Sequence, residues 1–371
     1  MLAALNGSAD GDGPQSNVVV DEAGTVYGGT LWGGHYDQGV VFKLDTSSKS
    51  HITLHTFTGG MDGGSLTSLL RDKAGNLYGT AASGGIFHEG GGVFEMDTNG
   101  NERMLYSFAG GTMDGCGPGG LIQDKEGNFY GVTWACGTYN FGTVFKLSKT
   151  GQETLLHSFG GPDGAYPDAL FRDAKGDLYG TAESGGDSPN CDDFQYKGCG
   201  VVYKLSSSGK FTVLHSFSGG ALDGCFAQGA PIMDKHRNLY GIAELCGSSG
   251  LGIIWKLSLD GTETILHDFA GAPADGSAPA AGVIMDAEGS LYGVTVQGGN
   301  ATQCGENGHG CGTVYKLSKN GKITLLHSFD GYDGSFPYGG ITRDALGNFY
   351  GTTMGGGGVA LDNGTAWEII K

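Results

Sequence analysis

Short apolar stretches alternate with breaks rich in Gly, Asn and Asp along the whole chain. The stretch from Gly119 to Gly161 shows the pattern. GLIQD (120–124) is followed by the break KEGN, and FYGVT (129–133) by a longer loop. GTVFKL (142–147) then leads through SKTG into ETLLHSF (153–159). These runs are rich in β-branched and aromatic residues, which predicts four strands. The breaks suit tight hairpins, because Gly accepts φ > 0 and Asp bonds its own backbone. No segment sustains a 3.6-residue apolar period, so almost no helix is expected.

The unit recurs. A Tyr-Gly pair after a turn falls at Tyr27, Tyr78, Tyr130, Tyr179, Tyr240, Tyr292 and Tyr350, at intervals of 51, 52, 49, 61, 52 and 58 residues. A period near 50 with four strands per unit is that of a propeller blade. The expected fold is all-β: one seven-bladed β-propeller domain over residues 1–371, with four antiparallel strands per blade. The last unit stops after its third strand, GTAWEII, and Leu2 to Leu5 stands where a fourth strand belongs. The N-terminal strand is therefore expected to close the last blade and remove a free edge. No strand is expected to contain a cysteine.

The pattern D-x-x-G-N-[LF]-Y-G-T, then GG, then G-T-V-[FY]-K-L, then T-L-L-H-S-F resembles the GloVer-type tandem repeat of bacterial extracytoplasmic proteins. The resemblance covers the whole chain and implies export and a propeller-like array. It carries no activity or catalytic motif with it. The C-terminal anchor segments common in that family have no counterpart here, and Met1 is read as a start that follows a removed export signal.

Composition changes the picture in two places. The 74 glycines fall at fixed positions of the repeat, so they mark turns and close packing rather than disorder. No transmembrane run or signal peptide is visible. The eight cysteines pair by position. Cys116 and Cys136 flank one loop pair in unit 3, and Cys225 and Cys246 occupy the same places in unit 5. Cys191 and Cys199 share one loop, and Cys304 and Cys311 another. Four disulfides and an oxidising compartment, extracellular or periplasmic, are expected. Metal thiolates are the weaker alternative, because the spacings lack CxxC character.

Strand order puts the b–c and d–a loops on one face, the top. These loops vary, which is where function sits on a rigid scaffold. The net charge is −18, and of the 21 Lys and Arg only Lys197 falls in a top loop, where Asp and Glu are abundant. An acidic face excludes nucleic acid and repels polyanions. One lysine is thin support for a uronate lyase, so a glycoside hydrolase ranks above a polysaccharide lyase.

Three sets of residues stand out on that face. Four residues after the marker Tyr lie Leu31, Ala82, Trp134, Glu183, Glu244, Val296 and Met354. Glu183 and Glu244 are candidate catalytic carboxylates at equivalent places on adjacent blades; the plainer reading is a solvated rim. Trp32, Tyr36, Trp134, Tyr139 and Tyr196, with Asp37, are candidate ligand-binding residues, since exposed rings beside carboxylates suit sugars. The alternative is that they pack the loops down. His35 and His88, with Asp37 or Glu89, could bind a transition metal. Asp10, Asp62, Asp114, Asp163, Asp223, Asp275 and Asp333 recur before Gly and could bind Ca²⁺; the plainer reading is that each bonds its local turn. The strand-d histidines His55, His157, His215, His267 and His327 read as packing or hydrogen-bonding residues between blades. No cofactor is required by any motif.

The expectation is a secreted, monomeric propeller with no membrane span, binding a neutral carbohydrate or similar small ligand on an acidic, aromatic top face. A glycoside hydrolase using Glu183 and Glu244 and a non-catalytic protein-interaction scaffold are the alternatives. Fold alone does not choose between them.

Overall fold

The computed structural model describes all residues except 88–89, 192–196, 301–303, 305–308 and 359–362. Seven four-stranded antiparallel sheets follow one another around a ring. Blade 3 is typical, with strands Gly115–Gln123, Phe129–Cys136, Thr143–Leu147 and Glu153–Ser158, here called a to d from the inside out. A single 3-10 turn, Gly220–Leu222, is the only helical element among the described residues. Blade 7 takes its strands a to c from Thr342–Arg343, Phe349–Thr353 and Thr365–Ile369, and its outer strand from Ala3–Ala4. Ala3 pairs with Ala366 and Ala4 with Thr365. Leu2 N–H donates to the Ala366 carbonyl at 2.8 Å, and Leu5 N–H to that of Gly364 at 3.0 Å. Leu2 and Leu5 are buried, and Leu2 packs with Val18, Val26, Leu44 and Tyr350 across the junction of blades 7 and 1.

The repeat consensus follows from packing between blades. The strand-d Phe of one blade meets the strand-c aromatic of the next: Phe57 on Phe94, Phe108 on Phe145, Phe159 on Tyr203 and Phe269 on Tyr315, with centroids 5.0–5.4 Å apart and edge to face. The strand-c ring also lies over the glycine of the Tyr-Gly pair. A Cβ on Gly131 would stand 2.5 Å from the Phe145 ring, so only Gly fits there. At the bottom of blade 3, Asp124 accepts the amides of Glu126 and Asn128 at 3.0 and 2.8 Å, and the Tyr130 hydroxyl at 3.2 Å. The marker Tyr is thus buried in its ring and hydrogen-bonded at its tip.

One backbone bond joins each blade to the next at the top. Gly13, Ser65, Gly117, Tyr166, Phe226, Ala278 and Phe336 each donate N–H to a carbonyl of the preceding blade's b–c loop. The acceptors are Asn363, Gln38, Gly90, Phe141, Cys199, Leu251 and Cys311, at 2.8–3.2 Å. All seven donors have φ between 53° and 62°. Five are not glycine and carry strain that the bond and the packed ring must offset.

The four disulfides are Cys116–Cys136, Cys191–Cys199, Cys225–Cys246 and Cys304–Cys311. The expectation that no cysteine lies in a strand is corrected. Cys116, Cys136, Cys225 and Cys246 are strand residues. In blade 3 the pairing resumes beyond a bulge between Pro118 and Leu121 and runs up to Gly115 opposite Cys136. Gly and Pro at the bulge hide that extension from a pattern of alternating residues.

From Asp62 to Asp333 the recurring aspartates bond locally, whereas Asp10 lies 3.5 Å from His51 Nδ1. Asp163 accepts the Gly160 amide at 2.7 Å and lies 2.8 Å from His157 Nε2. His55, His267 and His327 meet Asp62, Asp275 and Asp333 in the same way, at 3.2, 2.9 and 2.6 Å. The histidines therefore bond the loop that follows their own strand. They also touch the next blade, as where His157 stacks on Phe211 at 3.9 Å.

Candidate functional site

Three series of equivalent positions form the mouth of the ring. The first holds the positive-φ residues just named. The second, two residues further on, is Gln15, Thr67, Gly119, Asp168, Gln228, Ala280 and Tyr338. All but Gly119 line a central channel of about 490 Å³. The third is the end of strand b, from Leu31 to Met354. Most of these residues are small or apolar. In blades 4 and 5 all three series carry large or polar side chains, and Trp134 of the third series joins them from blade 3.

Trp134, Tyr166, Glu183, Ser184, Phe226, Glu244 and Leu245 line one pocket of about 450 Å³. Trp134 is half-exposed and stacks on Tyr166, with centroids 4.6 Å apart and planes 25° off parallel. The two glutamates reach the same cavity from adjacent blades. Burial pushes the Glu183 carboxyl up to about 8, helped by the charges of Asp168 and Glu244. Burial also raises Glu244, which accepts a 2.6 Å hydrogen bond from Gln228 Nε2. Asp168 accepts the Gly229 amide at 2.7 Å, and its carboxyl too is raised by burial. The result is a cluster of three carboxyls in which Glu183 holds its proton at neutral pH, beside aromatic walls. Such a site offers a proton donor in Glu183, a second carboxyl that accepts a hydrogen bond in Glu244, and a ring to stack on.

Of the residues singled out in the sequence, the pocket brings together Trp134, Glu183 and Glu244. Trp32, Tyr36, Asp37 and Tyr139 are exposed elsewhere and do not line it. Asp37 accepts the Gly33 amide at 2.8 Å and closes its own loop. His35 is exposed, edge-on to Tyr36 at 4.7 Å. Tyr196, His88 and Glu89 lie outside the described residues. Tyr166, Phe226, Asp168 and Gln228 belong to the site, and sequence reasoning missed them. They stand at repeat positions otherwise held mostly by Gly, Ser, Ala or Thr, and aligning the starts of strand a would have shown the departure.

The fold and this mouth define a disulfide-braced seven-bladed propeller with a carboxyl-rich, aromatic pocket set off its axis. The Gloeobacter/Verrucomicrobia repeat matches the chain twice, over residues 1–194 and 192–370, and the chain belongs to that family. No curated protein matches the sequence. Among solved structures, the chain is similar to virginiamycin B lyase from Staphylococcus aureus (12% identity, TM-score 0.58, 94% of each chain covered). It is also similar to an oligogalacturonate lyase in complex with manganese (12%, 0.59, 99% of this chain and 95% of that one). A puromycin-hydrolyzing peptidase of Mycobacterium tuberculosis matches at 13% and 0.60, over 99% of this chain and 55% of the peptidase. At these identities the likeness is one of fold. No helix among the described residues is long and apolar enough to cross a membrane.

Proposed function

We propose that this protein works outside the cytoplasm and binds a neutral carbohydrate in the Trp134–Glu183–Glu244 pocket. The observation that carries the reading is the convergence of both glutamates on one cavity with Trp134, Tyr166 and Phe226. Aromatic faces accept the C–H surface of a sugar ring, and carboxyls bond its hydroxyls. The four disulfides support an oxidising compartment. No Lys or Arg lines the pocket, which speaks for a neutral ligand and against a uronate.

Glycoside hydrolysis is the second reading, and one observation favours it. Burial raises both carboxyls, Glu183 to about 8, and Glu244 accepts a hydrogen bond from Gln228, an asymmetry that suits Glu183 to the donor role and Glu244 to the acceptor role. A panel of neutral oligosaccharides, assayed for binding and for release of reducing ends, tests both. Binding without release leaves the first reading and removes the second. If no neutral glycan binds, or if Trp134→Ala binds like the parent, the pocket assignment fails.

A further inference from the structure

Five blades end strand d with a His that faces the Asp of the following loop. Four of these pairs are hydrogen-bonded through Nε2 and Oδ2 at 2.6–3.2 Å. The fifth differs. In blade 4 the Ser218 amide and hydroxyl take Asp223 Oδ2, at 2.7 and 2.8 Å, and the Gly224 amide takes Oδ1. His215 Nε2 is left 3.5 Å from Oδ1, buried and without a hydrogen-bond partner. Its ring is fixed edge-on to Phe217 at 4.7 Å.

A third group arrives from the next blade. Glu263 opens strand d of blade 5, Glu263–Asp268, and its Oε1 is likewise buried with no partner. One ligand atom each from His215, Asp223 and Glu263 lies within 4.8 Å of the others. Blades 1 and 2 bring together the equivalent His55, Asp62 and Glu102, but there His55 is already bonded to Asp62. The arrangement in blade 4 places two carboxyls and an imidazole around one point, with two buried polar atoms, His215 Nε2 and Glu263 Oε1, that make no hydrogen bond. An orphaned imidazole nitrogen is costly in a protein interior unless something occupies it.

We propose that His215, Asp223 and Glu263 form a site for a divalent transition cation of the zinc or manganese type, bridging blades 4 and 5. The donor set decides the class. One imidazole nitrogen with two carboxylates suits Zn²⁺ or Mn²⁺, whereas Ca²⁺ takes oxygen alone. Two carboxylates and a neutral imidazole carry a charge of −2, which a divalent ion neutralises. The site ties together the two blades that supply Glu183 and Glu244.

Calorimetric titration of chelator-treated, disulfide-intact protein with Zn²⁺ tests this, alongside the visible spectrum with Co²⁺. The expected result is one equivalent bound and a raised Tm in the parent. Glu102→Gln and His35→Ala are expected to bind like the parent. His215→Ala and Glu263→Gln are expected to lose more than the roughly 10–100-fold that removing an outer partner costs. Glu263→Gln keeps the side-chain shape, so it decides the matter if His215→Ala fails to fold. The proposal is overturned if the parent takes up neither Zn²⁺ nor Mn²⁺ stoichiometrically, or if Glu263→Gln retains full affinity. Loss of binding in His35→Ala with retention in Glu263→Gln would place the ion on the top face and also overturn it.

Discussion

The mouth of this propeller has two arcs built on one backbone. Four residues after the marker Tyr, near the top of strand b, blades 3 to 5 carry Trp134, Glu183 and Glu244. In blades 6, 7, 1 and 2 the same position holds Val296, Met354, Leu31 and Ala82. The same interblade bond runs through both arcs, from Phe226 to Cys199 in one and from Gly13 to Asn363 in the other. Scaffold and chemistry are therefore separable here. The repeat fixes where a side chain stands at the mouth, and the departures decide what it does.

The largest expected difference between the arcs is chemical. If the pocket hydrolyses its glycan, Glu183→Gln or Glu244→Gln should each lower turnover by about 10²–10⁴-fold while the ligand stays bound. Met354→Gln, at the equivalent place in the other arc, should leave both unchanged. Equal turnover in the Glu183 and Glu244 variants and the parent would end the hydrolytic reading. It would leave binding to be judged on its own.

Two further changes attack what the arcs share. Deleting residues 1–5 removes the outer strand of blade 7 and exposes an edge, at a cost of about 3 kcal/mol or more. An unaltered Tm in that truncation would falsify the closure. Gly142 and Gly364 sit at matching places, with φ of 91° and 94°, and a Cβ on either would stand 2.3 Å from a strand-b carbonyl oxygen. Gly142→Ala and Gly364→Ala should each cost about 2 kcal/mol or more. A much milder effect in one would mean that the arcs differ in backbone as well as in side chains.

How much of this was legible in the sequence follows the same division. The blades, the closing strand and the disulfide pairing were readable because they repeat, and repetition averages out local ambiguity. Glu183 and Glu244 were readable as exceptions at an aligned position. Asp168, Tyr166 and Phe226 were not, because Pro and Gly near the bulge interrupt the start of strand a, so no alternating pattern marks it. Trp32, Tyr36 and Tyr139 misled for a different reason. An aromatic residue in a top loop announces exposure, but only the ring geometry tells which loops share a cavity.

A smaller effect separates the aromatic walls. Trp134→Ala should weaken glycan binding by about 1–2 kcal/mol, roughly tenfold, through loss of the stacking face. Leu31→Ala in the other arc should not change it. Titration of both variants against one oligosaccharide checks the pair. A loss of affinity in Leu31→Ala as large as that in Trp134→Ala would move the binding surface to the ring axis.

The smallest expected difference is in stability against pH, and its sign can be worked out. Glu183 is raised to about 8, and Glu102, Glu153 and Glu263 to about 7, from an ordinary value of 4.5. The folded chain therefore holds these protons more tightly than the unfolded one, so stability falls as pH rises from about 4.5 to about 8. Asp163, Asp275 and Asp333 act at the other end. Their carboxyls are held below 3.8 despite burial, by hydrogen bonds from His157, His267 and His327 among others, so their contribution is lost as pH falls. His51 and His55, kept neutral by burial, add stability as pH rises towards 6.5 and nothing beyond. The interval between about pH 7 and 8 is thus shared by the three glutamates at about 7 and by Glu183, which carries its upper part. Tm measured from pH 4 to 9 should decline through that interval in the parent and in Met354→Gln. In Glu183→Gln the decline should be shallower, because Gln has no proton to lose. A parental Tm that is flat across this interval, or an identical slope in Glu183→Gln, would show that Glu183 is ionised at neutral pH and is no proton donor.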